Sequence, residues 1–328
     1  MRLWRRPTLA TRARRLVRDG RRALQAGHRA EATALFAAAM RLDPTVACEP
    51  WGLVPVLEAE GRGIVRERMQ ERLNSWYGPT PSPLHQPLTR LSNKAAMRNY
   101  IAAAGIPLPH LYDKAPDVTA LNWTQIPDRV VIKPTTTANR NGVVLAEDGY
   151  DHVAGQTITP NLPSYAEAFH RDSFDTLPPV LAEEFIIDVD RATDPALLIP
   201  RDYKVFVVGG MAVYMWVFDR NAPDGRRDMA ILDRNGRAYP QARVGWPDAP
   251  SRPLPQGFGA MIEMAEQISH HLPWLMRVDF YLTARGPVFG EFTTFPNAGL
   301  KLKPFGRRTY LQMWEIWPDD RPGPGTGP

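Results

Sequence analysis

Near the C-terminal end, Arg277 and Asp279 stand two residues apart, and so do Glu291 and Thr293. Side chains two apart in a strand share one face. With a five-residue loop from Thr283 to Pro287, the two segments form a hairpin in which Asp279 lies opposite Glu291 and Arg277 opposite Thr293. Directly opposed residues have Cβ atoms about 4.5–5.5 Å apart, so two carboxylates there repel. A bridging hard cation offsets this, because Mg²⁺ takes one or two carboxylates together with phosphate oxygens and water. A shared proton also offsets it, by raising one pKa. Arg277 alongside suits the phosphate end of the same ligand. The competing reading is a pair of exposed carboxylates beside an arginine. The flanking Val278, Phe280, Phe289 and Phe292 favour a packed strand pair instead.

Basic residues elsewhere fit the same chemistry. Lys133 follows the β-branched run Val130-Val131-Ile132 and opens a polar loop, Thr135 to Gly142. Small polar side chains and free backbone N–H groups can cradle phosphate, and Lys133 would add a point charge. A lone lysine at a strand end is usually only solvated, and Lys94 alone says less. Lys204 shares a strand face with Asp202, so it reads equally as a phosphate contact or a structural salt bridge. Glu183-Glu184-Phe185-Ile186 sets two acids beside two large apolar residues, as an adenine slot with a ribose-holding acid would, or as an ordinary strand exit would.

These residues need elements to position them. Ser92 is a candidate cap for a helix reaching Ala104, with Gly105 ending it in the left-handed conformation. Gly142 to Leu145 reads as the hairpin partner of Val130 to Ile132. Tyr203 to Val208 and Ala212 to Phe218 read as a hairpin about Gly209-Gly210. Phe258 to His271 has helical periodicity. Thr11 to Pro44 reads as a helical hairpin with Leu16, Leu24, Ala32, Leu35, Phe36, Ala39 and Leu42 inside, similar to one tetratricopeptide repeat (TPR) or else a simple helical arm. Glu58 to Leu73 reads as a charged helix with Gly61 and Gly63 at its start. Pro79, Pro81, Pro83 and Pro87 mark an extended connection.

The pattern predicts an α+β chain dominated by antiparallel hairpins, without strict βαβ alternation. Its expected parts are a TPR-like helical hairpin at 1–50, a linker with a helix at 51–90, the main domain at 91–315 and a disordered tail at 316–328. Neither a Gly-x-Gly-x-x-Gly fingerprint nor a Walker loop occurs.

The 328 residues carry a net charge of +5, with pI near 9.4, which favours anionic partners. Nine arginines crowd the first 22 residues. They read as a solvated helix face, a docking surface for an acidic partner or membrane lipid, or a transit peptide. With Trp4 as their only aromatic company, they give no support to a nucleic-acid role. No apolar stretch spans a bilayer. Cys48 is the only cysteine, which excludes an intramolecular disulfide and a cysteine zinc cluster and fits a reducing compartment. The expected location is the cytoplasm.

In chain order, Ser92-Asn93-Lys94 through Arg98, Val131-Ile132-Lys133-Pro134, Ala182 to Ile186, Asp202 to Phe206, Arg277 to Tyr281 and Gly290 to Thr293 resemble the ATP-grasp superfamily. The resemblance is nearest to its teichuronopeptide-biosynthesis (TupA-like) branch and covers roughly residues 90 to 310. It implies two α+β lobes holding ATP between them, with Lys94 and Lys133 on the phosphates and Glu183 to Ile186 as the hinge beside adenine. It implies Asp190 on the ribose, Asp279 and Glu291 on Mg²⁺, and Arg277 at the transferring phosphoryl group. Thr293 stands where the superfamily often has Asn as a metal ligand, and the phosphate loop lacks the usual glycines. The implied activity is a carboxylate–amine ligase forming an acyl phosphate from a small-molecule or peptide acid; Asn297, Lys301 and Lys303, which follow the second metal ligand, read as a grip on that acid or as a solvated basic loop. The alternatives are a phosphotransferase, or a non-catalytic scaffold whose helical arm docks a protein partner.

Overall fold

The computed structural model describes residues 8–79, 91–137, 141–221, 228–239 and 253–320. The prolines at 81, 83 and 87, the loop residues 138–140 and the tail 321–328 lie outside these. So do the side chains of Asn297 and Ala298.

Two antiparallel sheets carry the fold. The first has strands β1 (Leu111–Ala115), β2 (Val130–Pro134), β3 (Val144–Glu147), β4 (Tyr150–Asp151), β5 (Gln156–Thr157) and β6 (Val180–Glu184), in the order β1-β6-β2-β3-β4-β5. The second has β7 (Asp202–Val208), β8 (Met211–Asp219), β9 (Asp228–Asp233), β10 (Ala238–Tyr239), β11 (Met276–Thr283) and β12 (Gly286–Thr293), in the order β10-β9-β8-β7-β11-β12.

Alternation decides what each sheet face meets. In β2, Val130 and Ile132 are buried in a cluster with Leu162, Tyr165 and Ala166 of a helix at Leu162–Ser173. Val131 and Lys133 therefore face the other way. In β11, Val278 and Phe280 pack with Met261, Ile262 and Ala265 of the helix Phe258–His271. Arg277, Asp279 and Tyr281 take the opposite face.

That opposite face is covered at one end only. At one end Phe206 and Tyr214 join a core with residues of α1 (Leu9–Gln25), α2 (Arg29–Leu42), α3 (Leu53–Ala59), α4 (Val65–Tyr77) and the last helix, Pro304–Ile316. The other end is open and becomes a cavity floor. The α1–α2 hairpin thus rests on the chain's own core. Its close approach depends on Gly20, where a Cβ would meet the Phe36 ring at 2.7 Å. The helix expected from Glu58 to Leu73 is two helices, because the chain turns at Gly61 (φ 71°) and Gly63 packs directly on Glu58. Of the disordered tail expected at 316–328, the described part begins as the end of the last helix at Ile316, and its Asp319 pairs with Arg72.

Arg72, on α4, is fully buried. It donates to the carbonyls of Leu275 (2.7 Å) and Thr294 (2.9 Å), just outside the two open ends of the β11–β12 hairpin. It also pairs with Asp319 and stacks on Trp314 and Trp76. Removing one partner of a buried pair strands the other. Arg72→Met is expected to destabilise the fold by about 3–5 kcal/mol, read by denaturant unfolding. A loss below about 1 kcal/mol would refute this clamp.

Candidate active site

The second sheet writes the floor of the cavity as a cross-strand row. Trp216 on β8 pairs with Lys204 on β7, Lys204 with Asp279 on β11, and Asp279 with Glu291 on β12. Side chains in such a row stand on one face, side by side. Arg277 and Tyr281 share the face two residues either side of Asp279.

The opposition of Asp279 and Glu291 was expected, but it arises differently. The turn has two residues, with Thr283 opposite Gly286, so Phe280 pairs with Phe289. A bulge at Gly290 then shifts the register by one and brings Asp279 to Glu291 and Arg277 to Thr293. A bulge of this kind re-aims the side chains beyond it. Gly290 fits because a Cβ there would sit 3.1 Å from the Tyr281 ring and 3.2 Å from the Asp279 carbonyl oxygen.

The floor is an alternating chain of charges. Arg277 donates Nε and Nη2 to the two oxygens of Asp279, at 2.6 and 2.7 Å. Lys204 donates to Asp279 at 2.5 Å and pairs with Asp202 at 2.8 Å. Arg220 donates to Asp202 at 2.8 Å. Glu291 is only 3.4 Å from Arg277 and keeps 40 % of its side chain exposed. Burial works to raise the Asp202 pKa, but Lys204 and Arg220 outweigh it and hold the carboxyl well below the usual range. Burial works against the charge on Arg277 too, and Asp279 more than offsets it.

The first sheet and the helix α5 (Lys94–Ala103) supply the opposite wall. Asn93 caps α5 by accepting from the N–H groups of Ala95 and Ala96, one residue later than the expected Ser92. Lys94 donates to the Thr137 carbonyl at 2.5 Å. Arg98, one turn on, donates to Glu183 at 2.8 Å, and Lys133 pairs with the other oxygen of Glu183. Burial lowers the Lys94 pKa below the lysine range, Glu291 opposes that shift and Lys133 adds to it. The loop after Lys133 returns at Gly142, whose carbonyl is held by buried His170 at 2.8 Å. A Cβ at Gly142 would strike the Phe174 ring at 2.5 Å.

Together these walls enclose about 390 Å³, within the size range of small-molecule sites. The cavity brings together Lys94, Lys133, Glu183, Glu184, Ile186, Lys204, Arg277, Asp279 and Glu291. Val131, Val143, Leu145 and Val153 give it an apolar part. Phe185, Asp190 and Thr293 are not among its lining residues. Phe185 instead packs near His152, Arg129 and Arg191, and the Asp190 carboxylate is taken by Arg201 at 2.5 Å. Lys301 and Lys303 are exposed outside the lining. Sequence reasoning left out Arg220 and treated Asp202 only as a salt-bridge partner. The alternation Trp216, Phe218, Arg220 carried the signal, since all three line the cavity. Cys48 is buried, with its thiol pKa raised by burial, which suits no nucleophile.

Five cations on a small cavity with an apolar part suit a polyanion attached to a flat apolar group. For a divalent ion the donors are fewer. Among the described residues no cluster of three or more His, Cys, Asp or Glu could hold a metal. Asp279 and Glu291 match in kind and number a Mg²⁺ ion that takes its remaining ligands from phosphate and water.

The family model described as TupA-like ATPgrasp matches residues 81–309, well over half of the chain, and the chain belongs to this family. No curated protein sequence matches it. Solved structures similar to it include D-alanine–D-alanine ligase from Helicobacter pylori, at 12 % identity and TM-score 0.41, covering 69 % of this chain and 60 % of that one. Another is the ATP-grasp ligase PsnB complexed with minimal precursor, at 12 % and 0.40, covering 70 % and 61 %. A third is a RimK domain ATP-grasp protein from Sphaerobacter thermophilus DSM 20745, at 18 % and 0.41, covering 75 % and 76 %. The chain thus spans about 60 % of the length of the first two. At such scores the likeness carries no argument about reaction. Among the described residues no helix is long and apolar enough to cross a membrane.

Proposed function

We propose that this chain is an ATP-dependent carboxylate–amine ligase. The observation that carries the reading is the Lys204–Asp279–Glu291 row with Arg277 beside it, facing Lys94 and Lys133 across one cavity. The apolar part, with Ile186 at the strand exit, would take adenine. Lys94 and Lys133 would take the phosphates.

In this reading a substrate carboxylate oxygen bonds to the γ-phosphorus and the bond to the β-phosphate oxygen breaks, releasing ADP. An amine nitrogen then attacks the acyl carbon of the acyl phosphate, and inorganic phosphate and a proton leave. Arg277 and Lys204 would face the transferring group as negative charge builds on it, and fixed cations there lower the barrier. Asp279 and Glu291 would hold Mg²⁺, which supplies charge neutralisation on the phosphates. Arg277 and Lys204, now bound to Asp279, would turn to phosphate oxygens. Arg220, also on the cavity lining, would meet the acid substrate.

The test is ADP release from the purified protein with paired panels of acids and amines, together with the product mass. An amide that needs both partners is expected. Phosphorylated hydroxyl or guanidino products without amide would replace this reading by a phosphotransferase. Absence of ATP binding in calorimetry would end both.

Lys94 adds a pH dependence. Its free-site pKa is lowered, and a bound triphosphate favours the charged form. ATP affinity is therefore expected to fall as pH rises through that lowered pKa, with proton uptake on binding in the same window. Lys94→Arg should flatten the profile, since a guanidinium stays charged. A parallel fall in both proteins would show that another group titrates.

A further inference from the structure

Helix α1 presents an arginine face that its neighbours in the described structure leave largely exposed. At 100° per residue, Arg14, Arg15, Arg18, Arg21 and Arg22 fall within an arc of about 120°. Ala13, Val17 and Gly20 are buried on another side. The side chains of Arg14, Arg15, Arg18 and Arg22 are 60–76 % exposed. Their carboxylate partners are few and distant. Asp19 is shared by Arg15, Arg18 and Arg22 at 3.7–3.9 Å, and Glu49 is 3.6 Å from Arg14. Arg21 donates to the Pro50 carbonyl.

Local stability does not explain this face. Like charges four apart, as at Arg14/Arg18 and Arg18/Arg22, destabilise a helix. The first turn also carries no acid to meet the positive end of the helix dipole.

We propose that α1 docks the protein reversibly on an anionic lipid surface. A helix cylinder is convex, and the cavity described above takes no wall from it. A plane of headgroup phosphates offers many anionic groups at once, which matches the charge of the whole arginine arc on such a ridge. The apolar side of α1 is committed to the core, so the helix lies on the surface without inserting.

The test is co-sedimentation of the full chain with vesicles of phosphatidylcholine, with and without phosphatidylglycerol. Binding is expected only to the anionic vesicles, and it should be released as ionic strength rises beyond about 0.15 M. Each guanidinium near such a surface contributes about five-fold to partition. The triple variant Arg14→Glu, Arg18→Glu, Arg22→Glu should therefore lose about 100-fold or more, with ATP affinity and circular dichroism unchanged. The corresponding triple Arg→Lys variant should bind as the parent does. Equal binding to neutral vesicles would overturn the proposal. So would an unchanged partition of the Glu variant, or binding of soluble polyglutamate in the absence of vesicle binding.

Discussion

Glu291→Gln is expected to lower turnover by about 10²–10³-fold and to leave the melting temperature where it is. The Glu291 side chain is 40 % exposed and its ion pair with Arg277 is long, so the fold loses little with its charge. Asp279→Asn should behave differently. Asp279 is buried and satisfies both Arg277 and Lys204. Its neutralisation leaves Arg277 with only the long contact to Glu291 and Lys204 with Asp202 alone, and stability should fall by about 3 kcal/mol along with turnover. Measuring kcat and unfolding for both variants separates the two roles. Wild-type turnover in Glu291→Gln would remove Glu291 from the chemistry.

The second large effect is expected at a residue with no side chain. Gly290 is the extra residue that brings Glu291 opposite Asp279. An Ala there needs neighbours to give by a few tenths of an ångström against the Tyr281 ring and the Asp279 carbonyl. A Val needs more. Displacing a reacting group by about 1 Å can cost about 10²-fold, so Gly290→Val should lower kcat by about that factor, and Gly290→Ala by less. ATP affinity should change little, since Lys94 and Lys133 lie on the other wall. Full activity in Gly290→Val would show that the bulge does not set the alignment of the two carboxylates.

That bulge also shows how far the sequence could be read. Alternation and apolar flanks located β11 and β12, and the Asp279–Glu291 opposition followed from counting. Count and structure agree because a shorter turn and an inserted residue cancel, and a glycine in a strand does not announce which it serves. The helix at Phe258–His271 was legible because its apolar spacing is regular. Ser92 and Asn93 are both good caps, so sequence alone could not choose between them. Phe185 and Asp190 were assigned from a motif, but the chain leaves its strand at Glu184. Beyond that point no alternation rule fixes direction, and Arg201 captures the Asp190 carboxylate. Arg220 went unseen because it lies just past the end of β8.

The carboxylate held between Lys133 and Arg98, and the one held between Arg277 and Lys204, have a consequence for selectivity. A guest anion does not meet bare cations here. It must displace resident counter-ions, and each displacement returns only the difference between two similar attractions. Valence then becomes the discriminator. A species with several anionic oxygens along one chain can replace several carboxylates in concert, while inorganic phosphate replaces one and leaves the remaining pairs closed against it.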